Sequence, residues 1–87
     1  MTEFEFDEDK SRVNKIKHGI DFVEAQAIWK DPDAMRMAAR MHGEPRFMVI
    51  GRIGEKHWSA VVTQRSERTR IISVRRSREK EKELYES

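Results

Sequence analysis

The strongest chemical signal in this sequence is a cluster of arginines near its C-terminal end. Six arginines and a single acid, Glu67, lie between residues 63 and 78. They are Arg65, Arg68, Arg70, Arg75, Arg76 and Arg78. A guanidinium group is a rigid planar fork that can hold a phosphate through two parallel hydrogen bonds, whereas lysine acts as a mobile point charge. The cluster therefore predicts either a phosphate-binding surface or a solvated basic face, and the charge pattern by itself leaves both open.

Groups that could transfer a proton are fewer. Histidine is the usual proton-transfer side chain, which makes His18 a candidate, but beside Gly19 it could equally interact with the carbonyl groups that end a helix. Tyr85 could stack on a base or donate a proton, or it could pack a terminal helix. Lys15 and Lys17 could extend a basic track for a nucleic acid or could simply solvate a helix surface.

Neither a metal nor another cofactor is expected. The three histidines, His18, His42 and His57, lack close metal-ligand spacing, and no cluster of acids beside them indicates a two-metal nuclease. The chain contains no cysteine, which excludes disulfides and thiolate metal sites. Any catalysis would then depend on arginine electrostatics and side-chain acids and bases.

Length and composition predict one small domain over residues 1–87. The chain is 37% hydrophobic and 39% charged, so its core must be modest. No apolar stretch approaches the roughly 20 residues that cross a bilayer, and the acidic start lacks the features of a signal peptide. We therefore expect a cytoplasmic protein that does not bind membranes.

Local patterns begin with a short strand and a helix. Residues 3–6 alternate between acidic and aromatic side chains, as a strand with one buried face would. Asp7 is a suitable N-cap for the first helix, and Gly19 fits the left-handed position that ends it. Val13 and Ile16 are expected to form the apolar side of this helix.

A second helix is predicted after Gly19. Asp21 and Glu24 form an Asp-x-x-Glu variant of the capping box, and apolar residues recur at helical spacing from Phe22 to Trp29. The run at residues 31–33, Asp-Pro-Asp, should end this helix.

The rest of the chain predicts four strands and a final helix. The strands fall at residues 35–41, 47–53, 58–63 and 70–74, with a turn at residues 42–45. Ser77 is a candidate cap for the terminal helix. Short turns between consecutive strands imply an antiparallel sheet with both early helices on one face. The predicted fold class is thus α+β, in the order β-α-α-β-β-β-β-α.

Adjacent arginines in the last strand should serve different surfaces. In an extended strand Arg70, Ile72, Val74 and Arg76 point to one side, and Ile71, Ser73 and Arg75 point to the other. We expect one member of the Arg75–Arg76 pair to reach the helix-covered side or its rim. Arg75 is expected on the open face, where it can join arginines from neighbouring strands.

Motifs along nearly the whole chain resemble those of one family. The most specific are N-x-x-K-H-G at residues 14–19 and R-I-I-S-x-R at residues 70–75. Matching segments also lie at residues 4–7, 20–25, 31–32, 44–47, 51, 63–65 and 79–85. In this order and spacing they resemble the BrnT toxin family, formerly a domain of unknown function. The chain departs from the family pattern at Phe6, where tryptophan is common, at Val74, where alanine is, and at Arg40, in a hairpin region that is often acidic.

The resemblance implies a RelE-like fold and a function. The protein would be a ribonuclease toxin of a bacterial type II toxin–antitoxin module that cleaves mRNA, free or on the ribosome, and so inhibits translation. A BrnA-like antitoxin with a ribbon-helix-helix domain would neutralise it in a 2:2 heterotetramer. That complex would contact operator DNA only through the antitoxin.

Roles for individual residues follow from the same resemblance. Cleavage through the 2′-hydroxyl of RNA needs a base, charge stabilisation on the phosphate and a proton for the leaving 5′-oxygen. Arg65, Arg70 and Arg75 match the family motifs and are expected to hold the scissile phosphate, with salt bridges to the early helices as the alternative. The candidates for proton transfer are His18 and Tyr85. The expected RNA-binding residues are Lys15, Lys17, Arg68, Arg76 and Arg78.

Two other functions use the same surface without catalysis. The chain could be a non-catalytic RNA-binding domain, or it could be an interaction module whose charges serve a protein partner. Cleavage of mRNA in excess EDTA, binding without cleavage, or neither would separate the three hypotheses.

Overall fold

The computed structural model describes residues 2–39 and 43–87 and contains, within those ranges, five strands and three helices. The strands are β1 (Glu3–Glu5), β2 (Met35–Ala38), β3 (Phe47–Ile53), β4 (Lys56–Arg65) and β5 (Arg68–Arg76). The helices are α1 (Glu8–His18), a 3₁₀ helix (Glu24–Lys30) and α2 (Glu79–Glu86). Parts of the strand predicted at residues 35–41 and of the turn after it, at Arg40, Met41 and His42, lie outside the described residues. In the described ranges no helix is both long and apolar enough to cross a membrane.

The α+β class is confirmed, but the sheet is mixed rather than antiparallel. Its strand order is β1-β5-β4-β3-β2. The strands from β2 to β5 pair antiparallel, whereas β1 pairs parallel to β5. Short turns force consecutive strands to run in opposite directions. No such turn joins β1 to β5, because both early helices and three strands lie between them in the chain.

Helix α1 begins and ends where its local sequence predicts. The Asp7 carboxylate accepts a hydrogen bond from the backbone N–H of Lys10 at 3.0 Å. At the other end Gly19 adopts a φ of 79° and donates its N–H to the carbonyl of Lys15. The predicted apolar side of this helix is wrong, since Val13 is 49% and Ile16 85% exposed.

The buried side of α1 is polar because it meets backbone groups at an edge of the sheet. The Ser11 hydroxyl accepts the Phe22 N–H at 2.9 Å. The Asn14 amide donates to the carbonyls of Ile20 and Val74, at 2.8 and 2.9 Å, and accepts the Val74 N–H at 3.2 Å. Strand β1 pairs with β5 only as far as Arg70. Asn14 therefore bonds the β5 edge where a neighbouring strand is missing.

The second helix has the predicted capping box but a tighter geometry than predicted. Asp21 and Glu24 exchange side-chain to backbone hydrogen bonds at 2.7 and 2.9 Å. The segment is a 3₁₀ helix, closed by bonds such as Asp31 N–H to the Ile28 carbonyl. Seven residues are too few for a stable α-helix by themselves. The helix packs closely against β3, because a Cβ added at Gly51 would lie 2.8 Å from an Ile28 methyl group.

The core lies between the sheet and the two early elements. On the helix-covered face of the sheet, Val49, Ala60, Val62, Ile71 and Val74 are buried. Phe22, Ala25 and Ile28 pack against them and are fully buried. The opposite side of the sheet, which we call the open face, carries the side chains that alternate with this set.

A β-bulge changes which residues of β5 reach the open face. Val61 pairs with Ser73, but the next residue, Val62, pairs with Ile71, so Ile72 is an extra residue. The predicted alternation of side chains between the two faces is therefore wrong for the residues of β5 before the bulge. Ile71 is buried in the core, and Arg70 points to the open face together with Arg75.

Candidate functional site

Helix α2 divides the open face into two ends. The covered end lies beneath α2 and includes Ser59, Arg75 and Glu81. The uncovered end carries arginines, carboxylates and a threonine from β1, β4, β5 and the segment before β3, none of which α2 reaches. Those residues are Glu5, Glu44, Arg46, Thr63, Arg65 and Arg70.

At the covered end Arg75 is held by Glu81. Its two terminal nitrogens donate to the two carboxylate oxygens at 2.8 and 2.7 Å. The pair is largely buried, with side chains 24% and 13% exposed. The Ser59 hydroxyl and the backbone N–H of Arg78 donate to the same carboxylate, each at 2.9 Å. Arg75 thus lies on the open face as predicted, in a bidentate ion pair that joins β5 to α2.

These contacts shift the ionisation of the pair. Chiefly through its hydrogen bond, Arg75 lowers the pKa of Glu81 from 4.5 to about 2, against an opposing effect of burial. Glu81 in turn raises the pKa of Arg75.

Ser77 was predicted to cap α2, and this is wrong. It is buried, with its hydroxyl 2.8 Å from that of Ser59, while Arg78 occupies the N-cap position.

Tyr85 also lies at the covered end, on the helix that closes it. Its hydroxyl donates to Asp31 at 2.7 Å, and the same carboxylate accepts the Arg52 N–H at 2.8 Å. The hydrogen bond to Asp31 raises the pKa of Tyr85 to about 12. His57 packs edge-on against the Tyr85 ring, with 5.0 Å between centroids. The phenol therefore holds its proton more tightly than a free tyrosine does.

At the uncovered end two arginines form more exposed ion pairs. Arg65 donates to Glu44 at 3.0 Å, and Arg70 donates to Glu5 at 2.9 Å. Their side chains are 50% and 31% exposed. Glu44 raises the pKa of Arg65 through its hydrogen bond. The predicted alternative, salt bridges to the early helices, is wrong for all three arginines. Arg65 pairs with Glu44 before β3, Arg70 pairs with Glu5 on β1, and Arg75 pairs with Glu81 on α2.

Two residues of the uncovered end were absent from the predicted site. Among the described residues, the buried polar side-chain atoms without a hydrogen-bond partner are Thr63 Oγ1 and Arg46 Nε. Thr63 is 1% exposed and pairs across the sheet with Arg70. Arg46 precedes Phe47, whose partner is Val62, so Arg46 flanks Thr63 on its other side. No sequence signal distinguished either residue, although both lie in segments that match the family.

Glu5 was also missed as a site residue. The alternation of residues 3–6 places Glu5 opposite the buried side of β1, and this much was readable from sequence. Its contact with Arg70 depends on the parallel pairing of β1 with β5. That pairing joins positions 65 residues apart.

The predicted lysines and His18 lie away from Arg65 and Arg70. Lys17 and His18 line a groove between α1 and β5 together with Ser73. Lys15 donates to Glu24 at 2.8 Å on the exposed surface, and Glu24 raises the pKa of Lys15 through this bond. The structure therefore brings His18 and Lys17 to the free edge of β5, and Lys15 to the 3₁₀ helix.

The other three arginines of the predicted site lie in different parts of the structure. Arg68 lines an open groove with Arg65 and Glu5. Arg76 lies on the helix-covered face, with its guanidinium carbon 5.5 Å from the Trp58 ring centroid. Arg78 begins α2. Arg75 and Arg76 therefore point to opposite faces, as predicted.

The uncovered end suits an anionic ligand. Its partly exposed guanidiniums are paired with carboxylates that another anion could displace, and its atoms without a partner among the described residues are hydrogen-bond donors. Over residues 2–39 and 43–87 there is no group of three or more His, Cys, Asp or Glu placed to hold a metal ion.

Comparison with known proteins agrees with this chemistry. The sequence pattern of a family described as "Ribonuclease toxin, BrnT, of type II toxin-antitoxin system" matches residues 6–81. No curated protein matches the chain significantly. The family match covers most of the 87 residues and includes every residue of the uncovered end except Glu5. The chain therefore belongs to the BrnT family of ribonuclease toxins of type II toxin–antitoxin systems.

Proposed function

We propose that this protein is an endoribonuclease that cleaves mRNA without a metal ion and thereby inhibits translation. The observation that carries the proposal is the pair of partly exposed arginines, Arg65 and Arg70, at the uncovered end of the open face. Two guanidiniums on neighbouring strands can hold one phosphate from two directions. The ribonuclease activity is proposed because the family to which the chain belongs is described as one of ribonuclease toxins.

Substrate binding begins with an exchange of anions. The RNA phosphate displaces Glu5 from Arg70 and Glu44 from Arg65, so each arginine keeps an anionic partner. The two pairs are partly exposed, and such pairs contribute about 0–1 kcal/mol of stability. Their disruption therefore costs little compared with a bidentate contact to phosphate.

Cleavage then follows the usual course of metal-free RNA hydrolysis. A base removes the proton of the 2′-hydroxyl, the 2′-oxygen attacks phosphorus, and the 5′-oxygen leaves with a proton as a 2′,3′-cyclic phosphate forms. Released from Arg70, the Glu5 carboxylate lies beside the phosphate and is our candidate base. His18, in the groove at the β5 edge, and Tyr85, on α2, lie away from Arg65 and Arg70, so they can supply the proton for the 5′-oxygen only through water.

Arg75 has a conditional place in this mechanism. Its guanidinium is engaged by Glu81, so it can contact phosphate only after α2 releases it. Arg68 extends the RNA path from Arg65, and Lys17 extends it along the β5 edge. Lys15, Arg76 and Arg78 complete the proposed set as peripheral contacts.

The proposal includes an antitoxin partner. A BrnA-like ribbon-helix-helix protein would neutralise the toxin in a 2:2 heterotetramer in the cytoplasm and would carry the complex to operator DNA. Helix α1 supports a partner, because Val13 and Ile16 are exposed on a surface that would gain from burial. The RelE-like arrangement implied by the resemblance stays a prediction.

Cleavage of mRNA in excess EDTA tests the enzymatic function. The purified chain is incubated with mRNA, with and without translating ribosomes, beside a variant that carries both Arg65→Ala and Arg70→Ala. We expect cleavage by the parent and none by the double variant, with folding of both checked by circular dichroism. RNA binding without cleavage would instead support the non-catalytic RNA-binding domain, and neither would support the interaction module.

A further inference from the structure

Thr63 is an unusual residue of the uncovered end. It is 1% exposed, and its hydroxyl has no hydrogen-bond partner among the described residues. A buried hydroxyl without a partner lowers stability, and valine would fill the same space without that penalty. A threonine at this position is therefore better explained by a ligand than by packing.

The neighbours of Thr63 indicate the charge of that ligand. Thr63 pairs with Arg70 on one side, and register places Arg46 on the other. Arg46 is half-buried, and its Nε is the second buried donor without a partner. The three residues form one row on the open face, from the residue before β3 across β4 to β5, with an arginine at each end.

We propose that this row, Arg46–Thr63–Arg70, is a binding subsite for a phosphodiester group of single-stranded RNA. Arg46 Nε can only donate a hydrogen bond, and the Thr63 hydroxyl can donate one. A phosphate has acceptor oxygens alone, whereas the edges of bases present donors as well. The subsite positions the backbone beside Arg65, and it opens when Arg70 moves from Glu5 to the RNA.

This inference rests on the proposed function and adds two residues to it. Phosphate contacts position a nucleic acid without reading its sequence. The subsite should therefore contribute to affinity for RNA of any sequence and to the alignment of the scissile bond.

The test measures affinity and stability together for Thr63→Val. RNA that carries a 2′-O-methyl group on every residue cannot be cleaved through the 2′-hydroxyl, and its binding is followed by fluorescence anisotropy. We expect Thr63→Val to bind this RNA about tenfold more weakly, as for one hydrogen bond to a charged group. Its melting temperature should be equal to that of the parent or higher. Weaker binding with a lower melting temperature would point to a structural role and would overturn the inference.

A matched control comes from the opposite face of the neighbouring strand. Thr69 is also buried, but it faces the helix-covered side and its hydroxyl donates to Gln64 at 3.4 Å. Thr69→Val should keep the RNA affinity of the parent and should not gain stability. Equal affinities of Thr63→Val and Thr69→Val would overturn the inference.

A second variant tests the row if Thr63→Val fails to fold. Arg46→Lys keeps the positive charge but removes Nε, so it should also weaken binding, by about fivefold to tenfold. Arg36→Lys is its control, because Arg36 stacks on Phe47 on the helix-covered face. Folded Arg46→Lys with the affinity of the parent would overturn the proposed subsite.

The same assays separate this inference from the proposed function. If the parent binds the methylated RNA but does not cleave unmodified RNA, the ribonuclease proposal fails and the subsite is tested by binding alone. If the parent cleaves and the Thr63 and Arg46 variants behave like it, only the subsite fails. A parent that does neither overturns both.

Discussion

Both ends of the open face contain arginine–carboxylate ion pairs, but the pairs differ in burial and in the hydrogen bonds around them. At the covered end Arg75 and Glu81 are largely buried, bidentate and joined by further donors. At the uncovered end the pairs of Arg65 and Arg70 are more exposed, and two buried donors beside them lack partners within residues 2–39 and 43–87. An arginine whose partners are all present within the protein stabilises the fold. One that is partly exposed, in an ion pair beside unpaired donors, is available to a ligand.

The largest expected effect is at the uncovered end. Arg70→Ala should slow cleavage roughly 30- to 1000-fold, the equivalent of about 2–4 kcal/mol of transition-state stabilisation. Arg70→Lys should recover only part of the rate, because lysine keeps the charge but loses the planar fork. Single-turnover cleavage at saturating enzyme measures both.

Arg12→Ala is the charge-matched control for Arg70. Arg12 pairs with Asp9 on the exposed surface of α1, away from the open face. If Arg70→Ala and Arg12→Ala cleave at the same rate, the uncovered end is not the catalytic site.

Arg75→Ala should lower stability more than any variant of the uncovered end. Removing Arg75 leaves the largely buried Glu81 carboxylate without its main partner, which costs about 2–3 kcal/mol. Arg65→Ala should cost no more than about 1 kcal/mol, because its pair is half exposed. Urea unfolding of the two variants checks the difference.

Glu81→Gln distinguishes an ion pair that only stabilises from one that also restrains a catalytic group. If Arg75 contacts phosphate once it is released, Glu81→Gln should cleave faster than the parent at a temperature where both are folded. If Arg75 only joins β5 to α2, Glu81→Gln should lose stability without gaining rate.

The covered end should also make the protein sensitive to acid. The pKa of Glu81 is lowered from 4.5 to about 2 in the folded state, so its contribution is present above pH 4.5 and is lost as pH falls towards 2. This group alone predicts a loss of about 2 kcal/mol between pH 7 and pH 3. Unfolding at several pH values should show a weaker pH dependence for Arg75→Ala. Identical pH dependence in parent and variant would contradict the assignment.

The smallest effect is expected from Arg76→Ala. Arg76 lies on the helix-covered face over Trp58, where an exposed cation–π contact contributes about 0.5–1 kcal/mol. The variant should cleave at the parental rate and lose at most a little RNA affinity and salt dependence, as for a peripheral phosphate contact. A loss of cleavage comparable to that of Arg70→Ala would mean that RNA approaches the other face.

Local features of the fold were predictable from the sequence. The N-cap at Asp7, the left-handed Gly19 and the capping box of Asp21 and Glu24 all occur as expected. Each depends on hydrogen bonds over three or four residues, so neighbouring side chains determine it. The apolar side predicted for α1 was wrong because Asn14 bonds β5, 60 positions away.

The sequence predicted the chemistry of the candidate site, but it did not predict all of the residues that form the site. The arginine cluster and the family motifs identified Arg65 and Arg70 as phosphate-binding candidates, and the cleavage assays will test that role. Thr63 and Arg46 were not identified, because a missing hydrogen bond becomes visible only when every neighbour is in place. Arg75 has the same motif support as Arg70, and only the position of α2 distinguishes them.

The sequence by itself determined the order of the elements, both caps of α1, the capping box of Asp21 and Glu24, the family and the opposite directions of Arg75 and Arg76. These depend on the properties of short segments and on the two-residue period of a strand. Only the tertiary structure decided the parallel pairing of β1, the bulge at Ile72 and the ion pair of Arg75 with Glu81. The physical reason is that strand pairing, register and helix docking bring distant segments together, and their energies depend on both partners at once.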